Sequence, residues 1–271
     1  MGREKETWVA LFINHRLSKR KLFHTLLLTG GVLEAGLNTR RYGTVEAQLL
    51  GAVVVISYLG QARLAGSPRG HGPTSLLLVH GKEWRGKTTS AVLLCAAAHA
   101  RGLAVTLIDS DAQGTATAWA YAAEEAGDTF PWPIITAATP AHLARTLDGH
   151  NGLVIVDTPP GGYDVIETAI EAGDLILIPT SASPLDINRV WPTVEATSHK
   201  PAVVCLSQID SRTTLPKIAR TALENEGVVV AETEIPGREA LRHMYATTPQ
   251  RLYGYDELLT ELLSSNLLGE H

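Results

Sequence analysis

Gly81-Lys82-Glu83-Trp84-Arg85-Gly86-Lys87-Thr88 is the stretch that decides the fold. It satisfies G-x-x-x-x-G-K-[ST], the pattern of a phosphate-binding loop, and the chemistry requires that order of residues. Successive backbone N–H groups wrap the phosphates, and Gly86 permits their close approach. Lys87 neutralises the β- and γ-oxygens, while the Thr88 hydroxyl is suited to coordinate Mg²⁺. A helix starting near Lys87 points the positive end of its dipole at the anion. The candidate nucleotide-binding loop therefore runs from Gly81 through Thr88 and the adjoining Thr89. An ordinary glycine turn is the alternative, and the flanks weigh against it. Ser75–His80 reads as a short apolar strand, and Thr88–Arg101 as an Ala/Leu-rich helix stopped by Gly102.

Outward from this loop the same alternation continues. Ala104–Ile108, Leu153–Val156, Leu175–Ile178 and Ala202–Leu206 are short runs dominated by apolar residues, separated by helix-like segments such as Thr115–Ala126. Strands that are apolar throughout belong to a parallel sheet covered on both faces. Residues 75–268 thus read as one α/β domain with a doubly wound, mostly parallel sheet, a P-loop nucleotide-binding fold. Residues 1–74 lack this rhythm. Their apolar patches are interrupted by glycines, and Gly66–Pro73 (GSPRGHGP) has linker composition.

Two carboxylate sites reinforce the loop. Asp109-Ser110-Asp111 follows the second strand, one helix and one strand beyond Lys87. Asp157 ends the apolar run Leu153-Val154-Ile155-Val156 and precedes Thr158-Pro159-Pro160-Gly161. Strands neighbouring that of the phosphate loop deliver both sites to the carboxyl edge of the sheet, where ligands bind in such folds. An aspartate at a strand end commonly caps a helix or a turn. Beside a phosphate loop, service to Mg²⁺ and water is the reading favoured.

Composition sets the remaining bounds. Of 271 residues 45 % are hydrophobic, enough for a substantial core, and 19 % are charged. The formal net charge of −5 hides a split: residues 1–74 carry ten Lys and Arg against four Asp and Glu, and residues 75–271 thirteen against twenty-four. Cys95 and Cys205 sit in apolar runs without metal-ligand spacing, as buried free thiols of a reducing compartment do. No secretory pattern stands at the N-terminus. The longest apolar stretch, Leu49–Leu59, is too short to span a bilayer. These features predict a cytoplasmic protein without a membrane partner.

Taken in order, the motifs resemble those of the ParA/MinD-type ATPases with a deviant Walker A motif, especially the small ParA proteins of plasmid partition. The resemblance rests on Lys82…Gly86-Lys87-Thr88-Thr89, on Asp109-Ser110-Asp111-Ala112-Gln113-Gly114-Thr115-Ala116-Thr117 and on Val156-Asp157-Thr158-Pro159-Pro160-Gly161. Ile178-Pro179-Thr180-Ser181-Ala182-Ser183-Pro184-Leu185-Asp186, Asp210-Ser211-Arg212-Thr213-Thr214-Leu215 and Glu234-Ile235-Pro236 follow in the family's order.

The resemblance implies a Mg²⁺-dependent ATPase, slow and stimulated by a partner, that dimerises on ATP binding and partitions or positions DNA or another large cargo. Lys82 would be the signature lysine that reaches the phosphates of the partner copy. Asp111 would orient the attacking water, with Lys82 and Lys87 completing the catalytic set. Thr88 would ligate Mg²⁺ directly, and Asp109 and Asp157 would belong to its shell. The implied partners are a ParB-like adaptor and nonspecific DNA, and the implied location is the cytoplasm in association with the nucleoid. DNA contact in such proteins uses basic residues of the C-terminal helices, which here points to Lys217 and Arg220 on a helix over Thr214–Glu226 and to Arg242, among many glutamates.

Departures from the family pattern leave alternatives open. Relatives read Lys-Gly-Gly-x-Gly-Lys-Thr, whereas this chain has Glu83 and Trp84 at the two glycine positions. An indole and a carboxylate there would crowd a dimer seam and repel phosphate. An ATP-binding regulator with weak or no hydrolysis is therefore a second reading. A metabolic P-loop enzyme, such as a dethiobiotin synthetase-like ligase, is a third. Residues 1–74 read as a basic arm or as a poorly ordered segment ahead of a working chain that starts near Pro73; they have neither the length nor a clear two-helix pattern for the operator-reading helix-turn-helix of some larger relatives.

Overall fold

The computed structural model describes residues 75–78, 86–148, 150 and 152–264. The expected N-terminal extension, 1–74, and loop residues Gly81, Lys82, Glu83, Trp84 and Arg85 lie outside the described residues.

Six parallel strands form the sheet: β1 (Ser75–Leu78), β2 (Val105–Asp109), β3 (Ile134–Thr136), β4 (Leu153–Asp157), β5 (Leu175–Thr180) and β6 (Ala202–Leu206). Their spatial order is β3-β2-β4-β1-β5-β6. Between and after them come the helices α1 (Lys87–Ala100), α2 (Thr115–Glu125), α3 (Pro140–Asp148), α4 (Tyr163–Ala172), α5 (Pro184–Ala196), α6 (Leu215–Glu224), α7 (Glu239–Arg242) and α8 (Tyr255–Ser264).

The apolar runs become strands buried on both faces. On one side Val105, Leu107, Leu153, Ile155, Leu175, Leu177, Val203 and Cys205 join α1 and α8 in a single core cluster. The alternate residues, Ile108, Val154, Val156, Ile176, Ile178, Val204 and Leu206, are equally buried. By the two-residue period of a strand they face the opposite layer, where α4 meets β1 and α5 meets β5. Helix α1 is buried continuously from Ser90 to Ala98, because alanines let it lie close between the sheet and α8. It ends as its sequence predicts, with Gly102 in the left-handed region at φ 73°. Beyond β6, the segment 228–237 returns beside that strand without becoming a regular one. Val204 donates to Val229 O and accepts from Ala231, and Ile235 donates to Leu206 O.

This strand order fixes the place of the site. The chain leaves β1 towards β2 in one direction and leaves β4 towards β5 in the other. In register, Leu78 of β1 and Asp109 of β2 both pair with Asp157 of β4. The end of β1 and both acidic strand ends therefore meet at one carboxyl edge, beside the start of α1.

Candidate functional site

Helix α1 begins at Lys87, directly after Gly86, whose φ of 151° only glycine adopts readily. Ser90 donates to Gly86 O at 2.8 Å and closes the first turn. The Lys87 side chain is buried, and its Nζ has no hydrogen-bond partner among the described residues. Burial lowers its pKa below the ordinary lysine value, while the charges of Asp157 and Asp111 pull the other way.

Asp157 is 1 % exposed at the end of β4. Its Oδ2 accepts from Thr88 Oγ1 at 2.7 Å, and its Oδ1 is buried without a hydrogen-bond partner among the described residues. Burial pushes its pKa up to about 7, with Asp109 and Asp111 adding to the rise and the Thr88 hydroxyl and Lys87 opposing it. Two strand ends and one helix start thus enclose an ammonium and a carboxylate oxygen, both short of partners. An incoming ligand with anionic oxygens and a hard cation would satisfy both.

The two aspartates of the β2–α2 loop differ. Asp109 is fully buried, and three donors converge on it. Its Oδ1 accepts from Asp111 N–H at 3.3 Å; its Oδ2 accepts from Thr117 N–H at 2.9 Å and Thr117 Oγ1 at 2.8 Å. Both lone-pair sites of Oδ2 are taken by α2, and Oδ1 keeps one beside the bond from Asp111. Asp111 is half-buried, and its Oδ1 accepts from Gln113 N–H at 2.9 Å. Ser110 ties this loop to β4, giving both its N–H (2.9 Å) and its hydroxyl (2.7 Å) to Asp157 O.

Lys87, Thr88, Asp109, Asp111 and Asp157 are therefore gathered at one edge, with Thr89 on the same helix. The basic residues expected at a DNA surface are not gathered in the same way. Lys217 is exposed on α6. Arg220 turns inward: its Nη2 donates to Ala231 O at 2.7 Å, and it pairs with Glu234 and Glu224. Arg242 lies in α7, its side chain outside the described residues. Thr117, and the buried Ser90–Tyr255 hydrogen bond of 2.7 Å that fastens α8 to α1, escaped the sequence reading. Thr117 stood within the motif but carried no signal of its partner.

Among the described residues no group of three or more His, Cys, Asp or Glu side chains is set to hold a metal alone. A cation here would need Thr88 and the ligand's own oxygens. Among those residues, too, no helix is long and apolar enough to cross a membrane.

A parallel sheet of this order, a helix opened by Gly-Lys-Thr and acidic ends on β2 and β4 define a P-loop nucleotide-binding domain. More narrowly, the chain belongs to the CobQ/CobB/MinD/ParA nucleotide binding domain family, which matches residues 76–248 and includes the ParA and MinD ATPases. It is 31 % identical over 183 residues to the maintenance of carboxysome distribution protein A of Gloeobacter kilaueensis, covering 64 % of this chain and 81 % of that one. To Protein ParA of Rhizobium radiobacter it is 29 % identical over 111 residues, 41 % of this chain and half of that relative. The fold is shared with cobyrinic acid a,c-diamide synthase of Mycobacterium smegmatis, solved with a bound ATP analogue and magnesium. That likeness has a TM-score of 0.55 and 20 % identity, and covers 70 % of this chain and 94 % of the other.

Proposed function

We propose that the chain is a Mg²⁺-dependent ATPase that dimerises around ATP and uses hydrolysis to position a large cargo, DNA included. The observation that carries this reading is the buried Lys87 ammonium at the start of α1, beside Asp157 Oδ1, both without a hydrogen-bond partner among the described residues. A buried lone charge costs on the order of several kcal/mol, which a protein tolerates where a ligand completes it. Lys87 would bind the β- and γ-oxygens, and Thr88 and Asp157 would hold Mg²⁺. The ion would supply charge neutralisation on the phosphate oxygens. Asp111 would orient the attacking water, and Lys82 would reach the phosphates of a second copy. Phosphoryl transfer asks for positioning and charge more than covalent chemistry, and this set provides both.

The relatives named for carboxysome distribution and as ParA support a cargo-positioning role. A ParB-like adaptor that stimulates turnover, and action in the cytoplasm at the nucleoid, complete the proposal. Glu83 and Trp84 favour a second reading, a regulator that binds ATP and hydrolyses little of it. Phosphate release from Mg·ATP, with and without DNA, separates the two. Wild type should turn over and Asp111→Ala should lose on the order of a hundredfold. Equal rates in the two proteins would sink the mechanism, and a nucleotide-induced thermal shift without phosphate release would favour the regulator.

A further inference from the structure

We infer that Asp109 and Thr117 form a clamp that positions Asp111, so that Asp109 acts through α2 and not through the metal. This rests on the ATPase reading above.

The argument begins with the start of α2. Its N-cap is Gly114, in the left-handed region at φ 65°, which has no side chain to receive the free N–H groups of the first turn. The third helical residue, Thr117, would normally give its N–H to a capping Ser, Thr or Asp at the N-cap. Here the cap comes from a distance. Thr117 gives both its N–H and its hydroxyl to Asp109 Oδ2, eight residues back at the end of β2. A carboxylate there also meets the positive end of the helix dipole.

The same carboxylate holds the other end of the loop, since its Oδ1 accepts the Asp111 N–H. Residues 111–117 are therefore held at both ends by one buried carboxylate. Inside the closure, Gly114 donates to Asp111 O at 2.9 Å and Gln113 donates to Asp111 Oδ1 at 2.9 Å. Asp111 Oδ2 takes no hydrogen bond from any described residue. One oxygen of Asp111 is thus oriented by the loop and the other is left for water. Asp109 has the reverse character: it is 0 % exposed, and Oδ2 already accepts two bonds. A carboxylate oxygen has about two lone-pair sites, so Oδ2 has none left for a hydrated cation; Oδ1 keeps one beside the Asp111 N–H, on a side chain that is 0 % exposed.

Thr117→Val tests the clamp, because it keeps the shape and the backbone N–H and removes only the hydroxyl. Hydrogen bonds to a charged acceptor are among the stronger ones. In the Mg·ATPase assay kcat should fall roughly tenfold while KM changes less than about twofold, the mark of an interaction expressed in the transition state. The Mg²⁺ concentration for half-maximal rate should hold in Thr117→Val and in Asp109→Asn, and Thr117→Ser should restore kcat. Amide hydrogen exchange at 110–117 should speed up in Thr117→Val and return in Thr117→Ser. A shift of the Mg²⁺ midpoint by about tenfold or more in Asp109→Asn would return that residue to the metal and overturn the clamp. Unchanged kcat in Thr117→Val, or unchanged exchange in the loop, would overturn it as well. If wild type releases no phosphate the ATPase reading fails by itself, and the exchange comparison still decides the clamp.

Discussion

Thr88 Oγ1 donates a 2.7 Å hydrogen bond to Asp157 Oδ2, and so joins the first turn of α1 to the end of β4. The bond occupies the two groups proposed to hold Mg²⁺. Cation binding would exchange this bond for coordination, with Asp157 required as the anion.

Asp157 makes the nucleotide-free fold sensitive to pH. Burial raises its pKa from the ordinary carboxylate value of 3.8 to about 7, so the folded protein holds a proton that the unfolded chain has released. Stability from this group is fully present below the unfolded value. It is lost as pH rises through the window from 3.8 to about 7, on the order of a few kcal/mol in all. Asp157→Asn has no such proton to lose. Urea denaturation of both nucleotide-free proteins at several pH values should show the variant gaining on wild type between pH 4 and pH 7 and holding its lead above. Parallel stability profiles would contradict the buried, proton-binding carboxyl.

Lys87 separates binding from folding. Among the described residues its ammonium has no hydrogen-bond partner, and burial outweighs the pull of Asp157 and Asp111 on its charge. Lys87→Met, of similar length and without the charge, should be at least as stable as wild type without ligand. With Mg·ATP at a hundred times its dissociation constant, wild type should gain about 2.7 kcal/mol and the variant none. Thermal denaturation with and without Mg·ATP reads both effects. A variant that still responds to nucleotide would place the phosphates elsewhere.

How far the sequence carried is clearest at particular residues. The apolar runs ending at Asp109 and Asp157 are local patterns, and a parallel sheet needs little more to be recognised. Gly86-Lys87-Thr88 is local too, since loop and helix start are contiguous in the chain. Strand β3 was not legible: it has three residues, and the prolines at 131 and 133 beside it blur its pattern. The capping of Thr117 by Asp109 needs the β2–α2 geometry, because the residue that ordinarily caps, Gly114, cannot. Arg220 shows the same limit. Helical spacing puts it on α6, but its partners Ala231 and Glu234 come from an irregular return beside β6 that no periodicity announces.

Arg220 and Lys217 should accordingly behave in opposite ways. Arg220→Ala would strip the partner from Ala231 O and Glu234 Oε1 and cost about 2–3 kcal/mol in urea denaturation. Lys217, exposed on the same helix, should cost less than about 0.5 kcal/mol as alanine. If this face meets DNA, Lys217→Ala should weaken binding across all sequences and reduce the salt slope by about one. Arg220→Ala, corrected for folded fraction, should leave that slope alone. A slope that falls with Arg220 and not with Lys217 would mean that the arginine leaves its internal partners to meet phosphate.

Glu83 and Trp84 should set the rate and the assembly of the protein more than its affinity for ATP. The general phosphate-loop pattern leaves both positions free, so backbone wrapping of the phosphates does not depend on them. A second copy closing over the nucleotide would meet an indole and a carboxylate where relatives present glycine. A carboxylate in that loop would also repel the phosphates. Glu83→Gly/Trp84→Gly should raise the dimer fraction in Mg·ATP by sedimentation and raise turnover with it, while the dissociation constant for nucleotide changes little. Unchanged dimerisation and an unchanged rate would show that the seam accommodates both side chains.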